Sequence, residues 1–271
     1  MSESTNEITD SANNSNGLIG LAFFIVITII YFIIKITSKS DQSIKIWTFI
    51  YFLLVIVGEY FINLSTTNVL CGSAQYTTAI YVTIIPWVII FGLLNLMIKM
   101  FPGWLSPFSN TFGYFAAKLA GIDKLFKEIL VPKIPVNTPD DELRNEALGY
   151  MYSNPTLIVN KITETNFDSF WDKMTTNGTS DLAPGVKFLK SNIEQYKEKF
   201  RGYIKLKDTV SVFIWYLLTG GLVTSVSYNY IVNAGCKQSA SDIEKKHNEY
   251  TEQQEIISQE KTQPRVYNIT D

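Results

Sequence analysis

Residues 17–36 read GLIGLAFFIVITIIYFIIKI, the first of the four apolar stretches that decide the fold of this chain. The other three span residues 46–64, 78–98 and 208–232. Each approaches or exceeds the roughly 20 residues that a helix needs to cross about 30 Å of hydrocarbon, whereas a surface helix of a soluble protein carries a polar stripe. The sequence therefore predicts an all-α, polytopic membrane protein with four transmembrane helices.

Three polar sections surround these stretches. Residues 1–16 form a polar N-terminal tail, and residues 233–271 form a polar C-terminal tail of mixed charge. The section at 99–207, between the third and fourth stretches, contains successive helical patterns with Asn, Gly, Ser and Pro at their breaks. We expect a helical cytoplasmic domain there, because about 100 residues suffice for a modest hydrophobic core.

The lysines indicate how the spans are oriented. Lys35, Lys39 and Lys45 flank the first connection, whereas the N-terminal tail and the connection at 65–77 contain no Lys or Arg. The positive-inside rule places the lysine-rich connection in the cytoplasm. The domain at 99–207 is then cytoplasmic, and both tails lie on the opposite face. The main alternative makes the second stretch re-entrant.

The composition argues against several classes of function. The formal net charge is −2, whereas binding of nucleic acid needs clustered cations that neutralise phosphates. One histidine, His247, and two cysteines are too few for a His/Cys zinc site. The section at 99–207 has no Gly-rich phosphate loop and no Ser/His/Asp set. We predict a non-enzymatic protein with no catalytic residues, no cofactor, no metal and no nucleic-acid partner.

Both cysteines fall on the same predicted face of the membrane. Cys71 lies between the second and third spans, and Cys236 lies a few residues beyond the fourth. A disulfide between them would tie the end of span four to the hairpin of spans two and three, provided that the compartment is oxidising. Two unpaired thiols at the interface are the alternative.

Polar residues inside the spans are few. Glu59 lies in span two and Asn95 in span three, where Pro86 is expected to disturb the helix. An intramembrane carboxylate costs about 2.5 to 3.5 kcal/mol unless it is protonated, paired or near the interface. Glu59 is therefore either an interfacial carboxylate bonded to nearby hydroxyls or part of an ion pathway. Span one has no such residue, and we expect it to be a lipid-facing anchor.

Span four carries small residues at spacings of four. Gly220 precedes Thr224, and Gly221 precedes Ser225, so each pair lies on one helix face. Small residues in that arrangement let another helix backbone approach closely. The spacing predicts a packing seam, either with the chain's own spans or with a second copy.

The start of the cytoplasmic section is rich in aromatic residues. Pro102, Gly103 and Trp104 predict a turn at the membrane interface. An amphipathic segment at 109–130 follows, in which apolar residues recur at steps of three or four: Phe112, Phe115, Leu119, Ile122, Phe126 and Ile129. This face either lies on the inner bilayer surface, with lysines near anionic head groups, or packs on the rest of the domain.

Two stretches resemble a known family. FPGWLSPFSNTFGYFAAKLAG (residues 101–121) and NPTLIVNKITETNFDSFWDKM (residues 154–174) are similar to integral membrane proteins of large nucleocytoplasmic DNA viruses, the giant-virus and algal-virus group. The similarity covers about residues 75–235 and is most specific at 102–114. It implies a component of the virion's internal membrane, beneath the icosahedral capsid. Because such viruses form disulfides with their own thiol oxidases on the cytosolic side, a cysteine bridge would not prove a lumenal face.

Two functional hypotheses follow. The leading one is a structural membrane protein of a viral internal membrane, acting in virion assembly or membrane–capsid attachment. Its partners would be the lipid bilayer, other membrane or capsid proteins and, as an open question, a second copy of the chain. The alternative is a channel or transporter subunit that uses Glu59 and Asn95.

Overall fold

The computed structural model describes residues 2–38, 40–175, 188–190, 193–233, 236 and 247–255, and for residues 2–16 and Asp41 it describes the backbone alone. The α-helices are α1 (Ser2–Thr37), α2 (Asp41–Cys71), α3 (Tyr76–Ile84), α4 (Gly92–Met100), α5 (Ser106–Phe108), α6 (Tyr114–Ala120), α7 (Ile122–Ile129), α8 (Pro139–Ser153), α9 (Pro155–Val159), α10 (Phe167–Thr175) and α11 (Glu194–Asn233). Residues 247–255 are also helical, and the rest of the predicted C-terminal tail beyond Cys236 lies outside the described residues. Within these ranges there is no strand, and an isolated bridge joins Leu130 to Leu189. The predicted all-α class is confirmed.

Four helical runs of the described chain are long and apolar enough to cross a membrane: Gly17–Thr37, Gln42–Cys71, Tyr76–Met100 and Glu194–Asn233. They contain the four predicted spans, so the prediction of a multi-pass membrane protein is confirmed. α1 begins at Ser2, so its helix extends into the predicted N-terminal tail. Which end of the bundle faces the cytoplasm stays a prediction. We call the end that carries the domain the domain end, and the end near Cys71 the disulfide end.

The third span is one continuous run that changes its winding. A π-helical segment, Ile85–Phe91, lies between α3 and α4. Pro86 stands at its start, where a residue without an N–H donor cannot make the α-helical hydrogen bond. The predicted disturbance at Pro86 therefore takes the form of a π-helical segment.

Neighbouring spans run antiparallel. Between α1 and α2, Thr28 and Tyr51 share a hydrogen bond of 3.0 Å, and Tyr31 and Thr48 share one of 2.9 Å. Moving forward along α1 from Thr28 to Tyr31 thus means moving backward along α2 from Tyr51 to Thr48, so the two helices are antiparallel. Asn63 of α2 donates to Thr83 of α3 at 2.9 Å. Hydrogen bonds between hydroxyls and amides stabilise helix association in a bilayer, where water does not compete for them.

The expectation that span one is only a lipid-facing anchor is wrong for one of its two faces. Phe24, Thr28, Tyr31 and Phe32 of α1 are buried. Thr28 and Tyr31 supply the hydrogen bonds to α2, and Phe32 packs edge-on against Phe213 of α11 with ring centroids 5.3 Å apart. The scarcity of polar residues in this stretch concealed that its few hydroxyls and rings all lie on one inward face.

The bundle has an aromatic core. Tyr31 stacks on Tyr51 with ring centroids 4.4 Å apart, and Tyr216 of α11 lies 6.0 Å from Tyr51. Trp87 and Phe91 of the π-helical segment close the core from the third span. The outer faces of the spans carry exposed apolar residues such as Leu53, which suits a surrounding bilayer rather than water.

The helical domain has a separate hydrophobic core. Phe200, near the start of α11, is buried among the rings of Phe126, Phe167, Phe170 and Trp171. α8 contributes little to this core, because Leu148 is its one buried residue. The capping box at its start, where Thr138 and Asp141 bond reciprocally, stabilises it locally instead.

α11 belongs to both cores. Its first turns carry Phe200 and Ile204 into the domain, and its later turns carry Tyr216 and Val223 into the bundle. The helix is 40 residues long and runs without interruption between them. The domain is therefore an extension of the fourth span rather than a body on a linker.

Candidate functional site: the joint between bundle and domain

The predicted interface turn lies where the third span ends. Phe101 leaves the helical conformation, with φ −126° and ψ 70°, and Pro102, Gly103 and Trp104 continue as a 3-10 turn with exposed side chains. The ring of Trp104 lies 6.4 Å from that of Trp215 in α11. The turn thus brings the chain out of the third span and back against the fourth.

A buried lysine lies at the centre of the site. The Lys207 side chain is 0% exposed, and its Nζ donates to Ser109 Oγ at 2.9 Å and lies 3.4 Å from Asp208 Oδ1. Ser109 Oγ donates in turn to Asp208 Oδ1 at 3.2 Å, and the backbone N–H of Glu164 donates to Asp208 Oδ2 at 2.8 Å. We call Ser109, Gly113, Lys207 and Asp208 the joint. It connects the chain after span three and the loop before α10 to α11.

Gly113 lets the backbones meet at the joint. It is buried in the π-helical segment Ser109–Gly113, which crosses α11 at Lys207. A Cβ atom at Gly113 would overlap the backbone carbonyl of Lys207, and backbone atoms cannot move aside as a side chain can. Glycine is therefore required here for close approach rather than for an unusual φ.

Tyr114 extends the joint into the domain. Its hydroxyl donates to Asp123 of α7 at 2.8 Å and accepts a 2.7 Å hydrogen bond from Thr156 of α9. Burial raises the pKa of this hydroxyl, so it keeps its proton and acts as a donor to the carboxylate.

The two predicted cysteines meet at the disulfide end. Cys71 and Cys236 are joined by a disulfide, with Cα atoms 5.3 Å apart. Cys71 is the last residue of α2, and Gly72 follows it in the left-handed region at φ 63°, which ends the helix. The bridge ties the α2–α3 hairpin to the chain beyond α11, as the paired alternative required.

The predicted packing seam on span four divides into two faces. Gly220 packs on α1, where a Cβ would overlap the buried Phe24 ring, whereas a Cβ at Gly221 would lie 3.8 Å from the nearest atom, Leu21 Cδ1. Thr224 is buried and Ser225 is exposed. Gly220 therefore packs against the chain's own span one, and Gly221 and Ser225 border a shallow groove.

Glu59 and Asn95 lie apart in the bundle. Glu59 is 1% exposed, and its Oε1 accepts no hydrogen bond from the part of the chain that the structure describes. A Cβ at Gly20 would lie 3.4 Å from Glu59 Oε2. The antiparallel pairing of α2 with α3 places Glu59 near the level of Trp87, so Asn95 lies about eight residues, or roughly 12 Å, closer to the domain end. Asn95 itself donates to the backbone of its own helix at 2.8 Å.

The predicted amphipathic segment divides at Gly121. This residue has φ 104° and separates α6 from α7. Beyond it, Ile122, Phe126 and Ile129 are buried in the domain core. Before it, Phe112, Phe115 and Leu119 are exposed. Packing on the domain is therefore confirmed for the second half of the segment, and contact of the first half with the bilayer surface stays a prediction.

Sequence reasoning missed most of the joint. None of its four residues is singled out by the sequence: Ser109 and Gly113 occur within the stretch at 101–121, and Lys207 and Asp208 stand at the boundary between the section at 99–207 and the fourth apolar stretch. The adjacent charges Lys207 and Asp208 at the very start of an apolar stretch are the signal that could have pointed to a buried pair. The partner of that pair is 98 residues away in sequence, and no local pattern identifies it.

No protein-family model matches the sequence, and neither a curated protein nor a solved structure matches it. The function is therefore inferred from the residues of this chain.

We expect Gly220→Ala and Gly221→Ala to have opposite effects on stability. The added methyl at 220 meets Phe24, which is held by Trp87 and Phe91, so overpacking should cost about 1 to 3 kcal/mol. The methyl at 221 has room, and alanine is favoured over glycine in a helix by about 1 kcal/mol. Thermal unfolding of the two variants in the same detergent measures the difference. Equal melting temperatures would contradict the assignment of Gly220 to the α1 contact.

We also expect Asp208→Asn to weaken the joint, because it leaves the Lys207 ammonium buried beside a neutral side chain. Lys207 is fully buried, whereas the Asp208 side chain is 25% exposed. Removing one partner of a fully buried ion pair typically costs about 3 to 5 kcal/mol, so we expect a smaller loss here, and replacing both partners should be milder still. The double variant Lys207→Met/Asp208→Asn should recover most of the loss. Hydrogen–deuterium exchange at Ser109–Gly113 reports opening of the joint.

Asp140→Asn makes the same substitution at an exposed position on α8 and is the matched control for the Asp208 variants. If the amides of Ser109–Gly113 exchanged no faster in Asp208→Asn than in Asp140→Asn, the ion pair would have no part in holding the joint together.

Proposed function

We propose that this chain is a non-enzymatic structural protein of a viral internal membrane, acting in virion assembly or in the attachment of membrane to capsid. The observation that carries the proposal is the single helix α11, which is 40 residues long and shared by the domain core and the membrane bundle. A domain that cannot swing relative to its membrane anchor suits a protein that holds a fixed position between a bilayer and a protein layer.

Fixation at both ends of span four supports this role. At the domain end, Lys207 and Asp208 hold α11 to the segment after span three. At the disulfide end, the Cys71–Cys236 bridge closes a chain separation of 165 residues. In the chain-entropy model, a cross-link over so long a loop contributes about 4 kcal/mol or more. Such cross-bracing favours a durable component over one that cycles between conformations.

Exposed apolar residues on the domain provide surfaces for neighbouring proteins. Leu143 and Tyr150 of α8 are 60% and 52% exposed, and Val136, in the segment before α8, is 58% exposed. Asp140 and Glu142 border them. In a structural protein these residues would contact other membrane or capsid proteins, or a second copy of this chain.

The viral assignment is supported by the resemblance at residues 101–121 and 154–174. Both stretches contribute residues to the contacts that hold α11 at the joint. The first includes Ser109 and Gly113 of the joint, and the second includes Glu164, whose N–H donates to Asp208.

Mass spectrometry of purified virus particles, without reducing agent, tests the proposal. We expect the chain in stoichiometric amounts, together with a peptide that joins Cys71 to Cys236. Particles stripped of their membrane serve as the control and should lack the chain. Recovery from a cellular membrane fraction alone would contradict the virion role.

As a second candidate we infer a channel or transporter subunit, which one specific observation favours. Glu59 is buried at membrane depth, and its Oε1 has no hydrogen-bond partner among the described residues. Thr224 Oγ1 and Ser227 Oγ on α11 also lack a hydrogen-bond partner among these residues. Glu59 and Thr224 both lie close to Gly20 of α1. The distance of Asn95 from this cluster weighs against the pathway that the sequence suggested.

This candidate predicts that Glu59→Gln abolishes a cation or proton flux across proteoliposomes and leaves assembly of the protein intact. The structural proposal predicts no flux in either the wild type or the variant. Asn95→Ala is the control, because Asn95 lies roughly 12 Å from Glu59 along the bundle, although its Oδ1 also accepts no hydrogen bond from the described residues. A measurable wild-type flux that Glu59→Gln removes would move the second candidate to first place.

A further inference from the structure

Several large apolar side chains project from the protein surface in the segment just after the third span. These residues are between 47% and 75% exposed: Phe101, Trp104, Phe112, Phe115 and Leu119. We call them the apolar ridge. Four aromatic rings and a leucine, clustered on one short stretch of chain, are unusual on a surface that meets water, where an apolar patch of this kind marks an interaction site.

The opposite face of the same segment is held by the protein. Ser109 and Gly113 are buried against α11 at Lys207, and Tyr114 is bonded to α7 and α9. Ala117 is fully buried in the domain core. The segment therefore cannot rotate to bury Phe112, Phe115 or Leu119 within the domain.

The apolar ridge lies next to the apolar belt formed by the membrane-spanning helices. Phe101 directly follows Met100, the last residue of the third span. Trp104 and Phe108 pack against Trp215 of α11, with ring centroids 6.4 and 6.2 Å apart, and Trp215 lies within the fourth apolar stretch. The ridge thus begins at the boundary of the apolar belt formed by the spans, and the exposed polar residues Ser106, Asn110 and Thr111 separate Trp104 from Phe112 along the chain.

The charges beside the ridge have one predominant sign. Lys99, Lys118, Lys124 and Lys127 lie along residues 99–130, against the two acidic residues Asp123 and Glu128. The Lys118 side chain is 57% exposed, and its Nζ lies 3.9 Å from Asp123. Aromatic rings with flanking lysines are the residues that helices place at a membrane–water boundary carrying anionic lipid.

We propose that the apolar ridge inserts into the head-group region of an anionic lipid bilayer, in the leaflet on the domain side, and that the lysines bind the lipid phosphates. The domain then rests on the membrane surface along α5 and α6, with α11 as its second support. This proposal relies on the membrane-spanning part of the proposed function and not on its viral part.

Site-directed spin labelling of the full chain tests the insertion. Cys71 and Cys236 are paired, so a single introduced cysteine can be labelled without reduction. Labels at Phe112→Cys, Phe115→Cys and Leu119→Cys are placed in vesicles of equal parts phosphatidylcholine and phosphatidylglycerol. Their collision rates with oxygen, which concentrates in lipid, and with a water-soluble nickel chelate are then compared.

Two further positions calibrate the result. Leu218→Cys, 57% exposed on span four, reports the lipid environment, and Leu143→Cys, 60% exposed on α8, reports water. We expect ridge labels to have an oxygen-to-nickel ratio several-fold above that of Leu143→Cys and below or equal to that of Leu218→Cys. A ratio equal to that of Leu143→Cys would overturn the proposal. Labels shielded from both reagents would also overturn it, because they would show that protein covers the ridge.

The lysines are tested separately in vesicles of phosphatidylcholine alone. We expect the ridge labels to become more accessible to nickel there, and the double variant Lys99→Glu/Lys118→Glu to show the same shift in the mixed vesicles. Accessibility that is unchanged in both experiments would overturn the role of the lysines. The oxygen-to-nickel ratio of the Leu218 label should stay constant in all of these conditions. A change at the ridge alone then shows loss of the ridge contact, whereas a change at Leu218 would show loss of membrane insertion and so failure of the proposed function.

Discussion

The structure depends on the continuity of one helix. A backbone inside a bilayer must satisfy its own hydrogen bonds, so α11 cannot break within the membrane, and it remains unbroken into the domain. Phe200 at one end and Val223 at the other then belong to different hydrophobic cores on the same rigid element. The aromatic core of the domain is positioned relative to the membrane because Phe126, Phe167 and Trp171 pack on Phe200 in the first turns of this helix.

A rigid helix alone would leave the rotation of the domain about its axis free, and the joint removes that freedom. Lys207 and Asp208 bind Ser109 in one segment and the backbone of Glu164 in another. Burying a charged pair is costly in itself, so its value lies in specifying one arrangement rather than in adding net stability. The disulfide at the opposite end constrains the hairpin of spans two and three in the same way.

The division of apolar surface follows from these restraints. The spans bury a cluster of aromatic rings and hydroxyls and expose other apolar side chains, both aliphatic and aromatic, on their outer faces, as a bilayer permits. The segment after span three is fixed on one face, so its aromatic residues project from the other. A single stretch of sequence thus serves packing on the protein side and exposes a lipid-compatible face on the other side.

The sequence by itself determined the all-α class, the four spans and the turn at 102–104, because these depend on composition and on order along the chain. It named Cys71 and Cys236 as candidates and left their pairing to the tertiary structure. The tertiary structure alone decided that Gly220 rather than Gly221 lies too close to α1 for a larger residue, that Glu59 and Asn95 lie at different depths, that span one is part of the core, and that the amphipathic segment divides at Gly121. The physical reason is that helical periodicity predicts which residues share a face but not which neighbour that face meets. Rotation and register of each helix are set by the interlocking of side chains distant in sequence, such as Phe24 on Gly220 and Lys207 on Ser109.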